Sequence, residues 1–294
     1  MPASILSLPA PAKINLFLHV CGRRSDGYHE LQTVFQFLEI ADRITFSLRT
    51  DGQIHLSTHF PGIAEGENLI VRAAKAIRQA SGTSLGVDIA IEKILPMGGG
   101  IGGGSSNAAT TLVALNQLWQ LQMSKTSLRQ IGLALGADVP VFIHGHAAWA
   151  EGVGERLTDM DIPEQWYLLA IPDCHVSTAA IFSHPELTRN SKMLKMAAFL
   201  EPGGSALFHN DCESLVRKLY PEVDRAFTLL SGFGNARMTG TGACVFSRFE
   251  TEKAAREALV SLNGKCRALV SKGANHSPLL RALEQQEPKP ASNR

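Results

Sequence analysis

Nothing in the 294 residues is apolar for long enough to cross a membrane, which takes ~18–20 residues. The chain also has no excess of charge of either sign. Lys and Arg number 28 against 27 Asp and Glu, a formal charge of +1. A dedicated nucleic-acid or membrane-surface binder needs a strongly basic face, so neither partner is expected. Cysteine is sparse: Cys21, Cys174, Cys212, Cys244 and Cys266 are odd in number and widely spaced. That excludes a disulfide framework and a cysteine-rich zinc site, and points to a reducing cytoplasm. The first twelve residues hold no Lys or Arg, unlike a secretory signal or an Arg-rich transit peptide. No internal repeat is visible. The pairs His55/His59 and His144/His146 have spacings that metal ligands can have, but no carboxylate is arranged with either, so packing or surface roles are expected.

Apolar residues make up 45% of the chain, enough for a large core and inconsistent with disorder. The length suits two domains. A loop-like composition near Asp161-Ile162-Pro163 places the boundary there, giving units 1–160 and 161–284 and a polar tail over 285–294 that is expected to fray. Glycine contributes 26 residues, six of them between Gly98 and Gly104. Chance would put roughly 0.6 in a window of that size, so this is where chemistry is expected.

Periodicity supplies the elements around that window. Strands are expected over 13–20, 30–38 and 43–49. Residues 53–58 read as a partner for the third strand across the Asp51-Gly52 turn. A helix is expected over 68–80 and a strand over 87–92. Helices follow over 105–119 and 127–135, then a strand over 139–149. Beyond the boundary the pattern predicts a strand at 166–171, helix at 210–231, strand at 237–246, helix at 251–262 and strand at 266–270.

The order strand, Pro96-Met97-Gly98-Gly99-Gly100-Ile101-Gly102-Gly103-Gly104-Ser105-Ser106, helix has a physical use. Glycines let backbone N–H groups converge on a ligand, and the first N–H groups of a helix are unsatisfied and carry the positive end of its dipole. A phosphate is held there without bulky side chains. Ser105 and Ser106 can cap the helix and offer hydroxyls to phosphate or a metal ion. The bland alternative is a flexible loop with a serine cap. The loop is not a Walker motif, because no Gly-Lys-Ser/Thr closes it. Gly98, Gly100 and Gly103 fit G-x-G-x-x-G, but a dinucleotide fold wants an acidic residue ~20 positions on, and there is none between Glu92 and Asp138. An NAD-dependent oxidoreductase is therefore disfavoured, and the protein-kinase motifs are missing.

Three segments together resemble the GHMP kinase family, named for galactose, homoserine, mevalonate and phosphomevalonate kinases. They are Pro11-Ala12-Lys13-Ile14-Asn15-Leu16, the run from Pro96 to Ala109, and Thr239-Gly240-Thr241-Gly242-Ala243-Cys244. Asn107 interrupts the general family's Ser-Ser-Ala without displacing the loop. The resemblance implies an α+β fold of two domains. One is β-rich and N-terminal with a ribosomal-protein-like βαβ unit, the other is ferredoxin-like, and the active site lies in the cleft between them. It implies ATP with Mg2+, the nucleotide phosphates lying on Pro96 to Ser106, and a second glycine-rich motif at Gly240, Thr241 and Gly242 facing the first across the cleft. Asp138 is implied as the base and Lys13 as its charged neighbour, since phosphoryl transfer to an alcohol needs the proton handled and the phosphate charge offset. Read alone, Asp138 is a turn residue or cap at a helix-to-strand junction, and Lys13 a surface lysine. A lysine beside a carboxylate favours its ionised form.

Asp26-Gly27-Tyr28-His29, the string Leu95 to Ala109 and Leu135-Gly136-Ala137-Asp138-Val139-Pro140 resemble a member acting on an alcohol that carries a cytidine diphosphate group. For that substrate Tyr28 and Phe182 would clamp the base, His29 would read its edge, and Asn15 and Thr178 would contact the sugar or alcohol part. The plainer fate of both aromatics is the core. A mevalonate- or homoserine-type kinase is the alternative within the family, but those substrates have no base to stack. A non-catalytic nucleotide-binding module has no need of Lys13 and Asp138. Asn68, Leu69 and Lys93 are weaker candidates for the adenine side.

Overall fold

In the computed structural model, residues 5–60, 62–201 and 207–286 are described. Strands β1 (Ile5–Arg23) and β2 (His29–Arg49) form a long antiparallel hairpin, with Ile5 opposite Ser47 and Arg23 opposite His29. The strand predicted over 13–20 is thus extended on both sides. Pro9 and Pro11 do not end it, because proline removes only a ladder donor and β1 pairs with a single strand. Register shifts fall between Pro11 and Lys13 and between Asn15 and Leu18. Bulges bend a strand and re-aim its side chains. Here they bracket Lys13 and Asn15, which are only 2% and 3% exposed.

Next come β3 (Ile54–Leu56), α1 (Leu69–Ser81), β4 (Gly86–Glu92) and α2 (Gly103–Leu118). The expected hairpin of 53–58 with 43–49 does not form. The segments 30–38 and 43–49 belong to one continuous β2, and its second half is paired on both edges, with β1 and with β4. β3 lies instead parallel to β4, Ile54 opposite Val87.

Helices α3 (Lys125–Leu135) and α4 (Val139–His144) precede β5 (Ala148–Gly152). The strand expected over 139–149 is therefore corrected: its first half is helical. Pro140 occupies the first turn of α4, where no N–H is needed, and Gly145 closes the helix with φ 81°. Residues 139–143 are all buried, so the segment shows no amphipathic period to distinguish it from a strand.

The chain continues through β6 (Arg156–Asp159), β7 (Trp166–Ile171), α5 (Thr178–Ser183), α6 (Met196–Leu200), α7 (Glu213–Leu219) and α8 (Pro221–Ser231). The helix predicted over 210–231 is two helices broken at Tyr220-Pro221, since a residue preceding proline is driven out of the helical region. Then follow β8 (Arg237–Met238), β9 (Val245–Phe249), α9 (Glu252–Ser261), β10 (Arg267–Ala274) and α10 (Pro278–Glu284). The strand predicted over 237–246 is split by the second glycine motif. The fraying predicted for the tail falls from residue 287 outside the described residues.

Hydrogen bonding orders the sheet β3-β4-β2-β10-β7-β9-β8, with β1 and β5 also on β2 and β6 on β5. β10 joins the two halves by pairing with both β2 and β7. One apolar core lies under α1, α2 and α4, and a second is built from β7, β9, α7 and α8. A smaller cluster containing Ile14, Ile101, Leu169 and Phe246 bridges them. α10 returns to the first half, where Leu279 is buried in the first core. No described helix is long and apolar enough to cross a membrane.

Candidate active site

The glycine run does lie between a strand and a helix, as predicted. Gly98, Gly100 and Gly102 have φ of 69°, 71° and 75°, a region that L side chains rarely adopt. Gly102 is the N-cap of α2, and neither serine caps it. This corrects the capping role expected of Ser105 and Ser106. Ser105 lines the cavity beside the loop. The Ser106 hydroxyl is enclosed and has no hydrogen-bond partner among the described residues. Ile101, 1% exposed, anchors the loop in the bridging core, whereas Met97 is 55% exposed.

The second glycine motif packs directly on the first, where a facing position across the cleft was expected. A Cβ on Gly100 would stand 2.3 Å from the carbonyl oxygen of Thr239 and 2.8 Å from that of Gly242. Cys244 N–H donates to the Gly99 carbonyl at 3.1 Å, and Thr239 Oγ1 donates to the Gly100 carbonyl at 3.2 Å. Only glycine permits so close an approach of two backbones.

Lys13 enters this junction from β1. Its ammonium lies 3.1 Å from Asp138 Oδ2, and donates to Asn15 Oδ1 at 2.5 Å and to the Gly100 carbonyl at 3.2 Å. All three of its donors are thereby directed, and the Phe35 ring lies 5.2 Å away. Asn15 is held in turn by Thr33 Oγ1, which accepts from its Nδ2 at 2.9 Å, and by Thr239 Oγ1, which accepts from its backbone N–H at 2.9 Å. Asp138 stands at the N-cap of α4 but makes no capping bond. Its carboxylate is therefore free for other work, on a helix-to-helix turn where a helix-to-strand turn was expected.

A cavity of about 290 Å³ collects Lys13, Asn15, Gly100, Ser105, Asp138, Thr178, Phe182, Gly240 and Thr241. Thr178 and Thr241 are hydrogen-bonded through their hydroxyls at 2.9 Å. An adjoining cavity of about 520 Å³ holds Arg23, Tyr28 and His29, and shares Leu31, Ala137, Val153, Thr178 and Phe182 with the first. Tyr28 is 63% exposed. The ring stacked on Phe182 is that of His29, with centroids 5.2 Å apart and planes at 25°.

Sequence reasoning missed the support behind the glycine loop. The Asp42 carboxylate is fully buried on β2. It accepts from Lys93 Nζ at 2.6 Å, from the N–H groups of Ile94 and Leu95 at 2.7 and 2.8 Å, and from Asn107 Nδ2 at 2.9 Å. It thus ties the loop entry to α2. Burial pushes the Lys93 pKa down, against the opposing pull of Asp42. Breaking a buried pair strands the other charge. Asp42→Ala is expected to lower stability by about 3–5 kcal/mol in urea unfolding, and a loss under ~1 kcal/mol would show that the network is not a structural hub. Asn68 is a helix cap, accepting from Ile70 N–H at 2.9 Å.

The histidine pairs have partners that the sequence did not place. His55 contacts Asp88 at 3.2 Å, and His144 contacts Asp159 at 2.5 Å. Among the described residues no group of three or more His, Cys, Asp or Glu is arranged to hold a metal.

Comparison with known proteins gives concordant matches. The family model for the N-terminal domain of GHMP kinases matches residues 68–146, and that for their C-terminal domain matches residues 195–268. A 4-diphosphocytidyl-2-C-methyl-D-erythritol kinase of Pseudomonas aeruginosa (strain LESB58) is 56% identical over 279 residues, covering 95% of this chain and 98% of the relative. One from Marinobacter nauticus is 53% identical over 280 residues, covering 95% and 97%. A crystal structure of 4-(cytidine 5'-diphospho)-2C-methyl-D-erythritol kinase superposes with a TM-score of 0.79 at 34% identity, over 92% of this chain and 99% of that one. A mevalonate kinase shares the fold at 14% identity and a TM-score of 0.67, over 92% and 99%.

Proposed function

Because this chain belongs to the GHMP kinase family, with that family's two-domain α+β fold, we propose that it transfers the γ-phosphoryl group of ATP to the 2-hydroxyl of 4-diphosphocytidyl-2-C-methyl-D-erythritol. The products are the 2-phosphate and ADP, which places the enzyme in the non-mevalonate route to isoprenoid precursors. The observation that carries this reading is the continuity of the two cavities. The glycine-rich loop and the Lys13–Asp138 pair line one cavity, and an aromatic, histidine-bearing pocket adjoins it. A mevalonate- or homoserine-type substrate would leave the 520 Å³ cavity without a use.

The Pro96–Ser106 loop and the N-terminus of α2 bind the triphosphate through backbone N–H groups. The substrate hydroxyl attacks the γ-phosphorus in line, an O–P bond forms, the bond to the bridging oxygen of ADP breaks, and Asp138 takes the hydroxyl proton. Lys13, whose position is set by Asn15, Asp138 and the Gly100 carbonyl, offsets the charge on the transferring group. Asn15 and Thr178 hold the alcohol part, and Tyr28, His29 and Phe182 hold the base. ATP brings Mg2+ with it. Ser105, which lines the cavity, offers an oxygen suited to a hard cation, and the ion would neutralise charge on the phosphates. On this reading the nucleotide belongs to unit 1–160, and unit 161–284 contributes Thr178, Phe182 and the second glycine motif. The enzyme works in the cytoplasm, where ATP is supplied.

A 31P NMR spectrum of the product tests the reading. A new phosphomonoester on the tertiary 2-carbon, with the diphosphate linkage intact, is the expected result. A phosphate on a primary or secondary hydroxyl would overturn it.

A further inference from the structure

One cation at the nucleoside-side cavity has no part in the chemistry above. Arg189 lies on the loop that follows α5. Its Nε–H donates to Nε2 of His29 at 3.1 Å, and its other nitrogens donate to the carbonyls of Leu187 (3.0 Å), Phe182 (2.8 Å) and His184 (2.7 Å). A guanidinium has five N–H donors and no acceptor, and it keeps its proton in proteins. Nε2 of His29 must therefore be the lone-pair nitrogen. A neutral imidazole with Nε2 bare carries its one proton on Nδ1. Nδ1 has no partner among the described residues and is not one of the enclosed, unpartnered atoms, while the ring itself lines the cavity. Burial first, and then the nearby charges of Arg189 and Arg23, hold its pKa below the ordinary histidine value. The stack with Phe182 fixes the plane of the ring.

We infer that Arg189 is a specificity-determining positioning residue: it locks His29 as an Nδ1–H donor, and that donor selects cytosine over uracil. The two bases have the same size and the same stacking faces. They differ along one edge: cytosine has a bare acceptor at N3 beside an amino donor at C4, and uracil an N–H donor at N3 beside a carbonyl acceptor at C4. A donor that cannot change tautomer pairs with the first and confronts the second, leaving two polar hydrogens unpaired, which costs more than the pair gains. The inference rests on the reading of this cavity as a nucleoside pocket.

Histidine 15N NMR on the full-length protein without substrate tests the tautomer, with His29 assigned by the signals that vanish in His29→Gln. The expected pattern is a protonated, pyrrole-type Nδ1 and a bare, pyridine-type Nε2. A proton on Nε2 at neutral pH would overturn the inference. In kinetics, the wild type is expected to prefer the cytidine over the uridine diphosphate substrate in kcat/KM by roughly 10- to 100-fold. Arg189→Met is expected to mix the tautomers and bring that ratio near one, whereas Arg189→Lys, which keeps a donor, retains part of it. An unchanged ratio in folded Arg189→Met sinks the proposal. Should that variant not fold, the wild-type ratio decides, and a value near one sinks it equally. Turnover of neither nucleotide-linked alcohol would overturn the functional reading and the selectivity with it, while the NMR spectrum still reports the tautomer.

Discussion

Asp138→Asn is expected to lower kcat by about 10²- to 10⁴-fold, the range lost when a positioned proton acceptor is removed. An amide keeps the shape and still reaches Lys13, but it cannot take the hydroxyl proton. The folding cost is expected to be small. Asp138 makes no helix-capping bond and its side chain is 35% exposed, and the buried Lys13 keeps Asn15 Oδ1 and the Gly100 carbonyl as acceptors. The diagnostic result is a large fall in kcat with the thermal midpoint and the KM for ATP nearly unchanged. Near-wild-type turnover in a folded variant would remove Asp138 from the chemistry.

Lys13→Met is expected to lower kcat by about 10²- to 10³-fold, the loss typical when one fixed positive group facing the developing charge is deleted. Methionine fills the buried volume of the stem but offers no donor to Asn15 Oδ1, Asp138 or the Gly100 carbonyl. Lys13→Arg is not expected to restore activity. A Cβ on Gly102 would already lie 3.2 Å from Lys13 Cε, so a bulkier fork has no space. Rescue by arginine would show that charge alone is required and that the position set by Asn15 is not.

The glycine loop before α2 was legible in the sequence because its signal is local. Consecutive glycines between a strand and a helix report positive φ and open N–H groups without reference to any distant residue. Lys13 and Asp138 are 125 positions apart in the chain, and each read alone as a turn or surface residue. Only the three motifs taken together brought them into one site. The groups that hold the site were not legible. Asp42 lies 51 and 65 positions from Lys93 and Asn107, and Arg189 lies 160 from His29. Their meaning is set by strand register and loop packing, to which local patterns are blind. The same limit explains the misread elements. With residues 139–143 all buried, α4 shows no amphipathic face, and the fate of residues 53–58 was decided by which edge of β2 was already paired.

ADP release measured with a panel of alcohols tests the central claim most directly. With ATP and Mg2+ present, rapid release is expected with 4-diphosphocytidyl-2-C-methyl-D-erythritol, and background release with mevalonate and homoserine. Turnover of mevalonate or homoserine together with none of the cytidine-bearing alcohol would contradict the account.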